Sequence, residues 1–403
     1  MPAAVGEPHR GARATPPAGT SPRATWSAAG AGLLVLVTAC AGRPSAEVIA
    51  AQSIYVRTDS DATTVVSPRT RVSGKVGDAV SVDAAYAVDV WTGASIDVVT
   101  AATRPIEEQR HEIQAGAGYE RDAATLTGSY RYSVEPDYES HGGVLRGALD
   151  LFRKNTTLAL TVFGSRDTVG RAGDPWFKQP QWSLGGRFAV TQVLSRSAIA
   201  ELSWETSTIQ GYQASPYRWV AIGGQGICAG GAPFCVPEQV PDERYRHAAT
   251  ALGRMAGPGG VSLGAKYRFY FDSWGLASHA IEPDIAIDIT KDGVLSLRYR
   301  YYTQGEASFY RPRYFELAPL EYVTRDRKLS ALHTHALGIA FAQDFPCARS
   351  ACTLGLQATG TYFTYLAFVG LEHVRALELT ALFGVNLDVP RDFLSPGRAA
   401  ALP

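Results

Sequence analysis

The sequence predicts an all-β chain: a closed antiparallel transmembrane β-barrel of roughly sixteen strands, with short turns at one end and longer loops at the other. Three observations carry this. Residue type alternates strictly through the middle of the chain, where Val261, Leu263, Ala265, Tyr267, Phe269 and Phe271 interleave with Ser262, Gly264, Lys266, Arg268, Tyr270 and Asp272. A strand sends successive side chains to opposite faces, so one face here is apolar and the other charged. No apolar run approaches the ~20 residues of a membrane-spanning helix. Short and long connections alternate along the chain, as they do in a barrel with turns on one side and loops on the other.

Taken in order, residues 1–46 read as an export signal followed by a linker. Arg10, Arg13 and Arg23 precede a compact apolar core, Gly30 to Ala39, with small residues after it. Two processing sites compete. Val37-Thr38-Ala39-Cys40 resembles a lipobox, which makes Cys40 a candidate lipidated first residue, and Ala39-Cys40-Ala41 fits an ordinary signal peptidase. The barrel is assigned to 47–403, with strands from about Glu47 to Asp388. Glu47–Arg57 supplies an ascending strand before Thr64–Val76. The predicted short turns are Gly77-Asp78, Asp122-Ala123, Lys154-Asn155, Ser195-Arg196, Gly257–Gly260, Lys291–Gly293 and Cys347–Cys352. The predicted long connections lie near 92–109, 134–142, 166–180, 209–243 and 304–327. Both termini then fall on the short-turn, periplasmic side and the strand count is even.

The Lys291-Asp292-Gly293 turn tests the register. Asp284 and Asp288 before it, and Arg298 and Arg300 after it, all occupy even positions. They share a face only if the loop holds an odd number of residues, which predicts a three-residue loop with Gly293 in the left-handed conformation. A one-residue slip would turn one strand's charges toward lipid.

The charges predict an ionic lumen wall. Arg246 (with Arg244 and Arg254), then Lys266 and Arg268, then Glu282, Asp284 and Asp288, then Arg298 and Arg300 lie on successive strands, so an acidic strand is flanked by basic ones. Arg69 and Arg71 (with Lys75) face Asp83 and Asp89 across the first short hairpin, and Arg187 faces Glu201 and Glu205 across another. Two readings follow: salt bridges that hold the wall, or a charged pathway for a solute. Because the signs nearly cancel, a passage would show weak charge selectivity. Leu263, Phe269, Ile285, Ile287, Leu295 and Leu297 should face lipid. Trp91, Trp182, Trp204, Trp274, Tyr299 and Tyr301 suit interfacial girdles.

Four cysteines fall in two close pairs, Cys228 with Cys235 and Cys347 with Cys352, each in a Gly/Ala-rich connection. They read as local disulfide staples in an oxidising compartment. A four-cysteine zinc site is the competing assignment, although the spacings do not match the usual knuckles. His333 and His335 share a strand face and read as interfacial or packing residues. Asp89 and Asp97 flank a short polar loop that is either capped or calcium-binding. A net charge of zero removes the basic footprint of a nucleic-acid binder. No G-x-S-x-G, Walker or H-E-x-x-H motif occurs, so the sequence predicts no enzyme activity and no cofactor.

Four segments carry a resemblance: Asp89-Val-Trp-Thr-Gly-Ala-Ser95, Tyr267-Arg-Phe-Tyr-Phe-Asp-Ser-Trp-Gly-Leu-Ala-Ser-His279, Arg300-Tyr-Tyr-Thr-Gln-Gly-Glu-Ala-Ser-Phe-Tyr310 and Arg325-Asp-Arg-Lys-Leu-Ser330. Together they resemble a bacterial family of outer-membrane proteins, domain-of-unknown-function family 3570, from about Tyr55 to the C-terminus. The resemblance implies a barrel in the outer membrane and no established activity. Family members are encoded beside thioredoxin-like and flavin-transferase proteins, which implies a periplasmic redox partner. The functional expectation is a porin-like channel or transporter for small polar solutes, with a structural or assembly barrel serving a periplasmic protein as the alternative.

Overall fold

The computed structural model of the protein describes residues 46–93, 106–223, 228, 234–315, 320–347 and 350–389. The candidate export signal, Cys40 and Asp97 lie outside them. The strands are β1 (Ala46–Asp59), β2 (Thr63–Val76), β3 (Val80–Gly93), β4 (Ile106–Arg121), β5 (Ala124–Glu135), β6 (Tyr138–Leu151), β7 (Thr156–Arg171), β8 (Asp174–Ser195) and β9 (Ala198–Gly211). After these come β10 (Trp219–Ala221), β11 (Cys235–Pro237), β12 (Glu243–Ala256), β13 (Val261–Asp272), β14 (Ala277–Thr290), β15 (Gly293–Gln304), β16 (Leu332–Cys347), β17 (Ser350–Tyr365) and β18 (His373–Val389). Sixteen strands form one closed antiparallel barrel in chain order, while β10 and β11 form a separate ribbon. β1 and β18 close the wall in register from Ala46↔Val389 to Asp59↔Ala376. Closure leaves no unpaired edge, the condition for strands to exist in hydrocarbon.

Strict alternation separates two faces of the wall. One carries unbroken cross-strand apolar rows: Leu263 opposes Ile285, which opposes Leu297, and Val261 opposes Ile287, which opposes Leu295. Large apolar side chains stay exposed on this face, among them Leu126, Leu202, Ile281, Leu337 and Leu379. Exposed hydrocarbon on this scale marks a surface that meets lipid. The other face carries the charges.

The β14–β15 connection keeps the parity the charges require, by a different device from a three-residue loop. The strands are joined by Lys291-Asp292 alone, and the register shifts between Asp288 and Thr290. The odd residue is therefore absorbed inside β14, at Ile289, as a bulge. Gly293 does not take a positive φ. A Cβ there would stand 2.3 Å from Gln343 Oε1, the end of a flexible side chain that can turn aside.

Two connections expected to be long are tight hairpins. β5 and β6 are joined by Pro136-Asp137, and β7 and β8 by Ala172-Gly173, with Gly173 at φ +81°. The polar residues around them extend strands beyond the apolar band, and β8 reaches 22 residues. Extended pairing satisfies their backbone as fully as a coil in water would, and adds cross-strand contacts.

Candidate functional site

The long connections fold across one end of the barrel. Their described residues are 212–223, 228 and 234–242 after β9, and 305–315 and 320–331 after β15. Gln239 and Val323 exchange backbone hydrogen bonds of 3.0 and 2.8 Å, and Gly223 N–H donates to the Tyr314 carbonyl at 2.8 Å. Val220, Ile222, Tyr314 and Val323 make one buried apolar cluster of this cap. Trp274, Leu276, Ala307, Tyr310, Leu329 and Phe368 make another against the ends of β16, β17 and β18. Tethers run to turns around the rim. Arg327 bonds Asp61 at 2.5 Å, Arg325 donates to the Val369 carbonyl at 3.1 Å, and the Tyr217 hydroxyl donates to Asp137.

Glu238 is the polar centre of the cap. Its carboxylate accepts from Ser215 N–H at 2.7 Å, from Arg218 at 2.9 and 3.0 Å and from the Thr324 hydroxyl at 2.5 Å. Burial pushes this carboxyl above its ordinary range, against the pull of Arg218. Burial likewise raises the phenol of Tyr314, whose oxygen takes part in four hydrogen bonds with backbone groups.

Beneath the cap, the charged face is laced by ion pairs. Glu282 bridges Lys266 at 3.0 Å and Arg300 at 3.2 Å. Arg268 reaches over β12 to Glu205 at 3.3 Å, and Arg187 bonds Glu201. Arg71 meets Asp83 at 3.4 Å, Arg69 meets Glu112 at 3.0 Å, and Arg57 meets Glu378 at 3.0 Å across the closing seam. Strand stagger makes diagonal partners closer than several that stand directly opposite. Asp284 is instead taken at 2.6 Å by Arg254, which lies in the same row with only Gly264 between them, and not by Arg298, its opposite residue on the other side. Asp89 is taken by Arg110, and Asp272 by Arg244, leaving Arg246 Nε without a partner. Among the described residues Arg298 and Asp288 make no ion pair. Sequence reasoning missed Glu112, whose partner Arg69 lies two strands away, Glu378, which meets Arg57 across the closure, and Arg110, which stands directly opposite Asp89 beyond the 92–109 connection.

Two cavities adjoin this face. One of about 640 Å³ is lined by charged side chains of β12, β14, β15, β18 and β1 together with Arg327 and Lys328 of the cap. Another of about 450 Å³ lies against Glu238, Arg244, Arg268 and Trp274. They share Arg300, Tyr302, Gln304 and Lys328. In the larger cavity six cationic side chains (Arg57, Arg254, Arg298, Arg300, Arg327, Lys328) outnumber four anionic ones (Asp59, Glu282, Asp284, Glu378).

Trp274 is no girdle residue. It is buried in the cap, donates from Nε1 to the Glu243 carbonyl at 2.9 Å and lies under the Arg244 guanidinium. Trp91 falls on the same strand face as Asp89, whereas Trp182 and Trp204 are exposed on the apolar face. Cys228–Cys235 and Cys347–Cys352 are both disulfides, each with Cα atoms 5.8 Å apart. The first staples the cap and the second the β16–β17 turn at the opposite end, so no four-cysteine site forms.

The fold is similar to solved outer-membrane barrels. A structure titled bacterial polysaccharide outer membrane secretin is 12% identical, covering 85% of this chain and 99% of that one, with a TM-score of 0.46. OccD3 (OpdP) of Pseudomonas aeruginosa is 10% identical, over 85% and 91%, at 0.44. The outer membrane protein OprD of Pseudomonas aeruginosa is 7% identical, over 86% and 95%, at 0.42. No curated protein matches the sequence. A closed barrel of sixteen antiparallel strands with a continuous exposed apolar face is a protein of the bacterial outer membrane. Residues 96–354 match the family described as "Protein of unknown function (DUF3570)", a span that takes in all the quoted motifs except Asp89–Ser95. The chain belongs to that family.

Proposed function

We propose that the charged face is the lumen wall and that the barrel passes small polar solutes across the outer membrane through a constriction made by the described residues of the loops after β9 and β15. The observation that carries this reading is the pair of cavities beneath the cap, which share Arg300, Tyr302, Gln304 and Lys328. Barrels of about sixteen strands enclose an aqueous lumen. Most wall charges are neutralised in pairs, so they serve the wall first. The surplus of cations in the larger cavity favours anionic over cationic solutes, since selectivity follows unbalanced charge. Single-channel recording of the purified protein in planar bilayers tests this: discrete conductance with a mild anion preference is expected, and a silent bilayer at verified insertion refutes it.

A second reading has its own observation. The cap carries two buried apolar clusters across one end of the barrel, packing that suits a structural or assembly barrel serving a periplasmic, redox-type partner. Recordings that stay silent even after residues 305–331 are shortened would favour it.

A further inference from the structure

All seven histidines within the described residues lie on one rim of the barrel. His111, His141, His247, His279, His333, His335 and His373 each occupy one of the first six residues of a strand that descends from the loop end. Register puts every one of them on the apolar face. Among the described residues the short-turn rim has none.

Four of them repeat one geometry. The Tyr86, Tyr130, Tyr267 and Tyr299 oxygens lie 2.8, 2.6, 2.7 and 2.7 Å from Nδ1 of His111, His141, His279 and His335. In each pair the tyrosine stands on the preceding strand, opposite the residue two positions below the histidine: Ile113, Gly143, Ile281 and Leu337. The phenol is the stronger donor, so its O–H donates to Nδ1 and the imidazole proton sits on Nε2. The Nε2 atoms of His111, His279 and His335 have no protein partner among the described residues. His141 Nε2 meets Glu139 at 3.2 Å.

A donor turned outward from the apolar face cannot look into hydrocarbon without a penalty. It must meet an acceptor at the headgroup level. Charges of both signs flank the belt, and its exposed guanidiniums add to the imidazole donors for an anionic acceptor. Glu139 is engaged by His141, and Glu243 by Gln210 and Tyr245. Arg166 stands opposite His141 and Arg375 opposite Tyr362, both exposed on the same face.

We propose that this histidine–tyrosine belt binds the phosphate groups of lipid headgroups in the leaflet that meets the long loops. The belt therefore sets the depth and orientation of the barrel by leaflet chemistry. The inference is independent of whether the lumen conducts.

Native mass spectrometry of the full chain in dodecyl maltoside tests it, with dioleoyl phosphatidic acid and dioleoylglycerol as probes. The protein should retain phosphatidic acid well above the glycerolipid. The combined change His111→Phe, His279→Phe and His335→Phe keeps an aromatic ring but removes the donors. It should weaken phosphatidic acid retention about tenfold, the size of one net charged hydrogen bond, and leave dioleoylglycerol unchanged. Should that variant fail to fold, Tyr86→Phe with Tyr267→Phe and Tyr299→Phe frees Nδ1 and should weaken retention about threefold as the tautomer is released. Equal retention of the two lipids by the unaltered protein, or full phosphatidic acid retention by the variants, overturns the proposal. Displacement of the lipid by excess inorganic phosphate overturns the headgroup assignment in favour of a soluble-anion site.

Discussion

Glu282→Ala should destabilise the barrel more than any other single change of a wall charge among the acidic residues of β14. Glu282 is the one carboxylate there with two cationic partners, Lys266 at 3.0 Å and Arg300 at 3.2 Å. Its side chain is 16% exposed, whereas Lys266 and Arg300 are 37% and 45% exposed. The cations keep water, so their pairing is worth the modest sum of two cross-strand ion pairs, each about 0.2–1 kcal/mol. Deletion also leaves Lys266 and Arg300 facing each other across β14 without a neutralising charge. We expect a loss of about 1–2 kcal/mol. Arg298→Ala should cost less than ~0.5 kcal/mol, since Arg298 has no ionic partner to strand. Urea unfolding in lipid vesicles, followed by tryptophan fluorescence, measures both, and the Glu282→Ala/Arg300→Ala double-mutant cycle isolates the pair. If Arg298→Ala is as damaging as Glu282→Ala, or the cycle shows no coupling, the pairing geometry does not govern the wall.

Thr324→Val removes one of the hydrogen-bond donors to buried Glu238, which should cost the cap about 1–3 kcal/mol. Proteolysis of 305–331 should then accelerate while the barrel's own unfolding midpoint holds. Gly211 sits at φ +103° with a would-be Cβ 2.2 Å from the Pro180 carbonyl oxygen. Gly211→Ala should therefore lower stability by at least ~2 kcal/mol in the same unfolding assay. Cys228→Ser with Cys235→Ser should loosen the cap by about 2 kcal/mol through the entropy of the released loop, read as faster chymotrypsin cleavage near Phe234. An unchanged digestion rate would mean that backbone bonds such as Ile222 N–H to the Phe234 carbonyl, 2.9 Å, hold the cap without the bridge.

Strand existence, strand count and the two faces were legible in the linear sequence. Period-two alternation fixes side-chain direction locally, so Leu263, Ile285 and Leu297 could be placed in one row before any pairing was known. The cysteine pairs were legible because each closes within its own connection. Parity at the β14–β15 turn was legible too, because charges cannot face lipid. The bulge at Ile289 that delivers it was not, since a strand and a loop can absorb the odd residue equally well. Ion-pair partners were decided by tertiary structure. The row that register builds from Arg254 across Gly264, which has no side chain, to Asp284 is encoded by no single strand, and it gives Asp284 to Arg254 and leaves Arg298 alone. The inward fold of the cap has no periodic signal, because irregular backbone is ordered by contacts from distant turns. Likewise the histidines stand far apart in the chain, and only the register of sixteen closed strands brings them to a common height on the wall.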